Sequence, residues 1–164
     1  MLRGCRSFFF LLLSTAVLCS AFSWNPRRIQ KAPDFSLPLL DGSTSLRLSS
    51  VTRDKPVLLI FWASWCPTCV EEIPVLNALA RKYSEDKLQI LAVNVQESRK
   101  VLTEFVKTNP LNYPVLLDQS GETAVKYKIA GLPVSVLLAK GGEILYYGFS
   151  LPGNLDELLA SRRH

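Results

Sequence analysis

The sequence predicts an α/β fold, a mixed sheet covered by helices on both faces. Three observations carry that expectation. Residues 57–62 (VLLIFW) are an unbroken apolar run, as a central strand packed on both sides must be, and residues 88–95 (LQILAVNV) read as a second buried strand. Helix-like stretches alternate with these strands, the longest running from Pro67 to about Tyr83. Residues 134–139 (VSVLLA) and 143–147 then flank Gly141-Gly142, a hairpin signal, before a closing amphipathic stretch at 155–161.

The remaining elements follow in order. Residues 32–50 hold APDFSLPLLDG and then SLRLSS, two short strand-like runs around an Asp41-Gly42 turn, so an N-terminal β-hairpin is expected. Pro67 stands at a first helical position, where its missing N–H is harmless. Pro74, inside the same helix, predicts a kink. A helix at 98–107 is ended by Asn109-Pro110. A short strand at 113–117 and a short helix at 122–127 complete the set.

The chain has 164 residues, enough for one domain, and 48% apolar against 20% charged residues exclude wholesale disorder. The formal charge is +5, but no Lys/Arg cluster follows one face, so no nucleic-acid partner is expected. Arg3 and Arg6 precede an apolar run at 8–18 (FFFLLLSTAVL), and no acid occurs before Asp34. Ala21 and Ser23 then flank Phe22 at the spacing a signal peptidase reads. Residues 1–23 are therefore read as a signal peptide cleaved before Trp24 or as a short membrane anchor. Residues 8–22 fall short of the roughly 20 apolar residues a spanning helix needs. Leu18, too bulky for a lipoprotein signal, argues against lipidation at Cys19. Both readings export the domain, with a polar linker at 24–31 (Arg27, Arg28 and Lys31 included) and the folded unit at 32–164. Without residues 1–23 the chain has 17 basic against 14 acidic residues, +3.

Cys5 and Cys19 fall in the targeting segment, which leaves Cys66 and Cys69. A pair two residues apart closes too short a loop to staple a fold. It cannot complete a zinc site either, since there is no second Cys pair and the one histidine is His164. Redox chemistry is the stronger reading and an inert disulfide the weaker. In FWASWCPTC, Cys66 sits where a buried strand gives way to a helix, and the helix N-terminus favours an anion. Its thiol should be more acidic than the free value of ~8.5. A Cys66 thiolate can attack a partner's disulfide, and Cys69, one turn on, can resolve the mixed disulfide.

The run FWASWCPTC, followed by Pro74, resembles the thioredoxin superfamily, and more narrowly its exported TlpA/ResA/DsbE-type members. APDFSLPLLDG is similar to their entry segment, and Gly131-Leu132-Pro133 to the loop that carries a cis-proline. The helix and strand between Asn94 and Pro133 resemble their central insertion into the thioredoxin-like fold. CPTC matches some cytochrome c maturation reductants. The resemblance implies that Trp65, Pro67, Leu132 and Pro133 face a client, with the Leu132 backbone pairing to an extended chain. It implies no cofactor and no metal. It also implies protein thiols and disulfides of exported clients as partners, apocytochrome c among them, and a membrane thiol-disulfide electron donor. Val134-Ser135-Val136 lacks the acid that follows this proline in DsbE-type proteins, and Ala139-Lys140-Gly141-Gly142 lacks a common Asp. An oxidase or isomerase of exported proteins, and a redox-inert interaction module, remain as alternatives. A peroxiredoxin is excluded, because its site needs Thr or Ser at position 63 and Pro at 59, where Ala63 and Leu59 stand. A copper-delivery relative would want wider Cys spacing and a later His.

A helical wheel adds one residue. Cys69, Ile73, Leu76, Leu79, Ala80 and Tyr83 form one apolar stripe. Glu72 falls within it, one turn below Cys69, and Glu71 falls on the polar face. A desolvated carboxyl at Glu72 should have a raised pKa and could take or return the Cys69 proton. ResA-like reductases carry a functional acid at this offset. The position that holds a buried acid in ordinary thioredoxins, on the preceding strand, is Ile60 here.

Overall fold

The computed structural model describes residues 30–83 and 86–161. The segment read as a leader, most of the linker and His164 lie outside the described residues. The central sheet has the order β5-β4-β3-β6-β7, formed by Val115–Asp118, Gln89–Val95, Val57–Trp62, Val134–Leu138 and Ile144–Gly148. β3, β4 and β5 run parallel, whereas β6 and β7 are antiparallel to their neighbours, so the sheet is mixed as predicted.

β3 lies in the middle, and all six of its side chains are buried. Its period-two alternation supplies both faces of the molecule. Leu58, Ile60 and Trp62 join Ile90, Ala92, Leu102 and both cysteines in one core. Val57, Leu59 and Phe61 join Leu91, Val93, Phe35, Leu48 and Tyr127 in the other. Helix α2 (Pro67–Lys82) covers the first face through Cys69, Ile73 and Leu76, with Leu79 and Ala80 packed more loosely along the same stripe. It runs on through Pro74, whose missing N–H deprives the Val70 carbonyl of its usual helical partner. Helices α3 (Arg99–Thr108), α4 (Glu122–Lys126) and α5 (Leu155–Ala160) complete the cover.

Two elements differ from the sequence reading. The hairpin of β1 (Ser36–Pro38) and β2 (Ser45–Arg47) is present, turning through Gly42 at φ +80, but SLRLSS is not all strand. Residues Leu48–Thr52 form helix α1, because Asp34 accepts from the Ser49 N–H and hydroxyl, both at 2.9 Å, and so caps a helix from a distance in sequence. β5 starts two residues later than predicted, after Pro114, and Tyr113 turns into the core instead.

The hairpin lies along β5. Leu39 bridges to Leu116, and the Leu40 N–H donates to the Val115 carbonyl at 2.8 Å. The Arg99 guanidinium fastens it by donating to the Leu39 and Leu40 carbonyls.

Register decides where a site can form. Trp62 pairs with Asn94 at the C-terminal ends of parallel β3 and β4, and Phe61 pairs with Val134 at the start of antiparallel β6. The segments after Trp62, after Asn94 and before Val134 therefore meet at one end of the sheet, the usual place for a site in such folds.

Candidate active site

The turn after β3 carries the cysteines. The Cys66 N–H donates to the Ala63 carbonyl at 3.2 Å, and Pro67 opens α2. Cys66 is the N-cap, with its Sγ accepting from the Cys69 N–H at 3.3 Å. Cys66 and Cys69 form a disulfide, with Cα atoms 5.3 Å apart. Both are buried, while Pro67 and Thr68 are exposed and Trp65 is 67% exposed. The Trp65 indole is thus free for a partner that approaches the disulfide.

The Leu132–Pro133 peptide is cis. Pro133 is buried, and Leu132 packs partly buried against the core that contains both cysteines. Register and packing thus bring Trp65, Cys66, Pro67, Cys69, Leu132 and Pro133 to the same end of the sheet.

Glu72 is half-buried, and its Oε2 is fully buried with no hydrogen bond. Burial holds its carboxyl above the usual value, because the charged form loses hydration there. Glu71 is exposed. Tyr113, which the sequence reading did not single out, also buries an unpartnered hydroxyl, and burial followed by the Glu72 charge pushes its pKa far up. An orphaned carboxyl oxygen near an orphaned hydroxyl, one turn along α2 from Cys69, is a small polar island in an apolar core. The signal for Tyr113 was slight, one aromatic ahead of a buried strand.

A second carboxylate was missed altogether. Glu97, in the segment after β4, accepts from the Ser64 N–H at 2.7 Å and the Ser64 hydroxyl at 2.5 Å. It also accepts from the Asn94 Nδ2 at 2.6 Å. The available signal was topological: Asn94 and Glu97 follow a parallel strand at its C-terminal end, beside the cysteine turn.

Comparison with known proteins agrees with this geometry. A family model described as "AhpC/TSA family" matches residues 29–147. The chain is 38% identical to the thioredoxin-like protein YneN of Bacillus subtilis, over 70% of this chain and 67% of that protein. It is 34% identical to the thiol-disulfide oxidoreductase ResA of Bacillus thuringiensis subsp. konkukian, over 71% of this chain and 66% of that protein. It thus spans about two thirds of the length of these curated relatives. A solved thiol-disulfide oxidoreductase from Bacteroides fragilis superposes with a TM-score of 0.68 at 33% identity, covering 79% of this chain and 99% of the other. Leu59 and Ala63, at the two positions a peroxide site would need, are apolar and fully buried. The chain belongs to the AhpC/TSA family, on its thioredoxin-like branch of thiol-disulfide oxidoreductases.

Proposed function

We propose that this chain reduces disulfides of exported proteins through Cys66 and Cys69. The observation that carries the reading is the Cys66 sulfur at the N-cap of α2, already accepting the Cys69 N–H. Once reduced, that sulfur sits where unpaired N–H groups and the helix dipole favour a thiolate. The Cys66 thiolate attacks one sulfur of the client disulfide, and the other client sulfur leaves as a thiolate and takes a proton. Cys69 then gives its proton to the Glu72 carboxylate and attacks the Cys66 sulfur. The client's second sulfur leaves and is protonated in turn. The client gains two electrons and the Cys66–Cys69 disulfide is restored. A dithiol donor at the membrane returns two electrons and two protons by the same exchange in reverse.

Trp65, Pro67, Leu132 and Pro133 form the surface for the client, with the Leu132 backbone pairing to an extended segment. Residues 1–23 act as a signal peptide or short anchor and residues 24–31 as a linker to the domain at 32–164. Relatives named thiol-disulfide oxidoreductase ResA support dithiol exchange at this pair. The reductive direction, the extracytoplasmic location and an apocytochrome c client extend that reading, on the sequence resemblance to exported TlpA/ResA/DsbE-type proteins and the apolar segment at 8–18.

The test is thiol release from a disulfide-bonded apocytochrome c peptide, followed alongside equilibration with glutathione. A reductase shows release and a potential near that of thioredoxin, about −270 mV, whereas a value near −120 mV makes it an oxidase. No exchange with either partner makes it a redox-inert module. Residues 1–31 fused to a reporter that folds only after export test the location.

A further inference from the structure

We infer that Glu97 is a positioning residue of the dithiol site, clamping the turn that presents Cys66 and setting the charge that a Cys66 thiolate faces. The inference rests on the proposed role of Cys66 as nucleophile. It concerns a carboxylate on a different element, one the exchange steps above do not use.

The clamp is built from three donors. Ser64, two residues before Cys66, gives its N–H and its hydroxyl to the two Glu97 oxygens at 2.7 and 2.5 Å. Asn94 gives its Nδ2 to the same carboxylate at 2.6 Å. The Ala63–Cys66 turn is therefore closed by its own 3.2 Å backbone bond and tied to β4 by a carboxylate. Hydrogen bonds to an ionised acceptor are the stronger kind, so the turn is held rather than merely covered.

Several costs are met to place this carboxylate. Gln96 adopts φ +60, in the left-handed region that non-glycine residues avoid. That twist turns the chain back after Val95, and the Gln96 side chain then packs over Gly121, where a Cβ would come within 3.0 Å. Asn94 is fully buried in the run QILAVNV, and its Oδ1 has no partner. A buried amide left half-satisfied is destabilising. Helix α3 gains nothing in exchange, since its N-cap is Ser98, whose hydroxyl accepts from the Val101 N–H. The Gln96 N–H keeps one bond, to the Asp118 carbonyl at 3.0 Å, and backbone strain of this kind gathers at functional sites.

The charge of Glu97 is not neutralised locally. Its donors are neutral, and among the described residues no Lys or Arg forms an ion pair with it. Neighbouring elements bring further charges to this end: Glu71 and Glu72 on α2, Asp118 at the end of β5, whose carboxylate accepts from the Thr123 and Ala124 N–H groups, the exposed Glu122 on α4, and on α3 the exposed Lys100 beside Arg99, which is committed to the Leu39 and Leu40 carbonyls. Tyr113 contributes a hydroxyl, and residues 131–138 carry no charge. Glu97 thus opposes the α2 N-terminus. It makes the Cys66 thiolate scarcer than the helix alone would, and shifts the thiol–disulfide balance toward the disulfide, which makes the dithiol more reducing.

The experiment measures the pH dependence of Cys66 alkylation and the equilibrium with glutathione, for wild type and Glu97→Gln. The near-isosteric amide keeps the shape and removes the charge. The expected result is a two- to fivefold rise, roughly, in Cys66 thiolate at a given pH, with a matching shift toward the dithiol. Unchanged alkylation and equilibrium, at any melting temperature, overturn the electrostatic half. Ser64→Ala keeps the charge and loses one bond of the clamp. It should leave the alkylation profile within about twofold of wild type and slow exchange with a peptide disulfide about threefold. Exchange at the wild-type rate overturns the positioning half. If wild type itself exchanges with neither partner, the proposed reductase function fails, an outcome distinct from both.

Discussion

Helices α2 and α3 begin alike and differ in one atom. Each follows a parallel strand of the central sheet, and each starts at an extended N-cap residue whose side chain accepts the N–H three residues on. In α3 the acceptor is the Ser98 hydroxyl, 3.4 Å from the Val101 nitrogen and open to water. In α2 it is the Cys66 sulfur, 3.3 Å from the Cys69 nitrogen and buried. The first is an ordinary cap that stabilises a helix. The second puts a redox atom into the same place, so that the field which steadies a helix start also steadies a thiolate. A structural device and a chemical one here share a geometry, and only the element and its burial separate them.

Substituting the caps breaks the comparison most sharply. Cys66→Ser makes the start of α2 resemble that of α3. Thiol exchange should fall to background, roughly a thousandfold or more, because no sulfur remains to accept attack. Helix content should match that of reduced wild type, as circular dichroism would show. Loss of α2 in both Cys66→Ser and reduced wild type, against the oxidised protein, would mean that the disulfide, not the cap, holds the helix start.

Cys69→Ala leaves the nucleophile and removes the resolving thiol. Mixed disulfides should accumulate on Cys66, visible by intact mass, with client release slowed on the order of a hundredfold. Adducts forming instead on the lone cysteine of Cys66→Ala would reverse the two roles.

Glu72→Gln sharpens the difference between a buried and an exposed helix start. The Glu72 carboxyl has a raised pKa in the fold because it is desolvated. Above its unfolded value it must be charged at a penalty, so it lowers stability at neutral pH. That penalty fades as pH falls through the raised value and is gone below the unfolded one. Glu72→Gln should therefore melt higher than wild type at pH 7 and no higher near pH 4, while its exchange slows severalfold. Glu71→Gln, on the exposed face, should do neither. Equal melting curves at both pH values would show that the Glu72 carboxyl pays no desolvation penalty.

The smallest effect belongs to Ser98→Ala. Loss of an exposed cap should lower stability by about 1 kcal/mol in denaturant titration and leave exchange untouched.

How much of this was readable in the chain depended on the range of each interaction. Strand 57–62 announces itself because burial on both faces leaves no polar position, and strand 134–138 does so with one exception, the buried Ser135. The α2 stripe is equally plain, since 3.6-residue periodicity is local, and it sets Glu72 on the core-facing side. What stayed hidden depended on distant partners. Helix α1 exists because Asp34 caps Ser49 across fifteen residues, which no window of pattern covers. Glu97 reads as one more polar residue after a strand until the β3–β4 register brings Ser64 within reach, thirty-three residues away. Tyr113 became part of the site only because Pro114 delays β5 and turns the phenol inward.

The hairpin laid along β5 has a consequence for solubility. A sheet edge offers unpaired N–H and C=O groups on which another chain can grow. Here the Leu40 N–H and the Leu39–Leu116 bridge occupy the β5 margin, and Arg99 pins the lapping strand in place. The opposite margin, β7, is five residues long, with a register irregularity between Leu137 and Leu138 in its pairing to β6. Short, irregular edges make poor templates. The hairpin therefore does more than lead into the domain: it closes the margin along which copies of this protein would otherwise stack into aggregates.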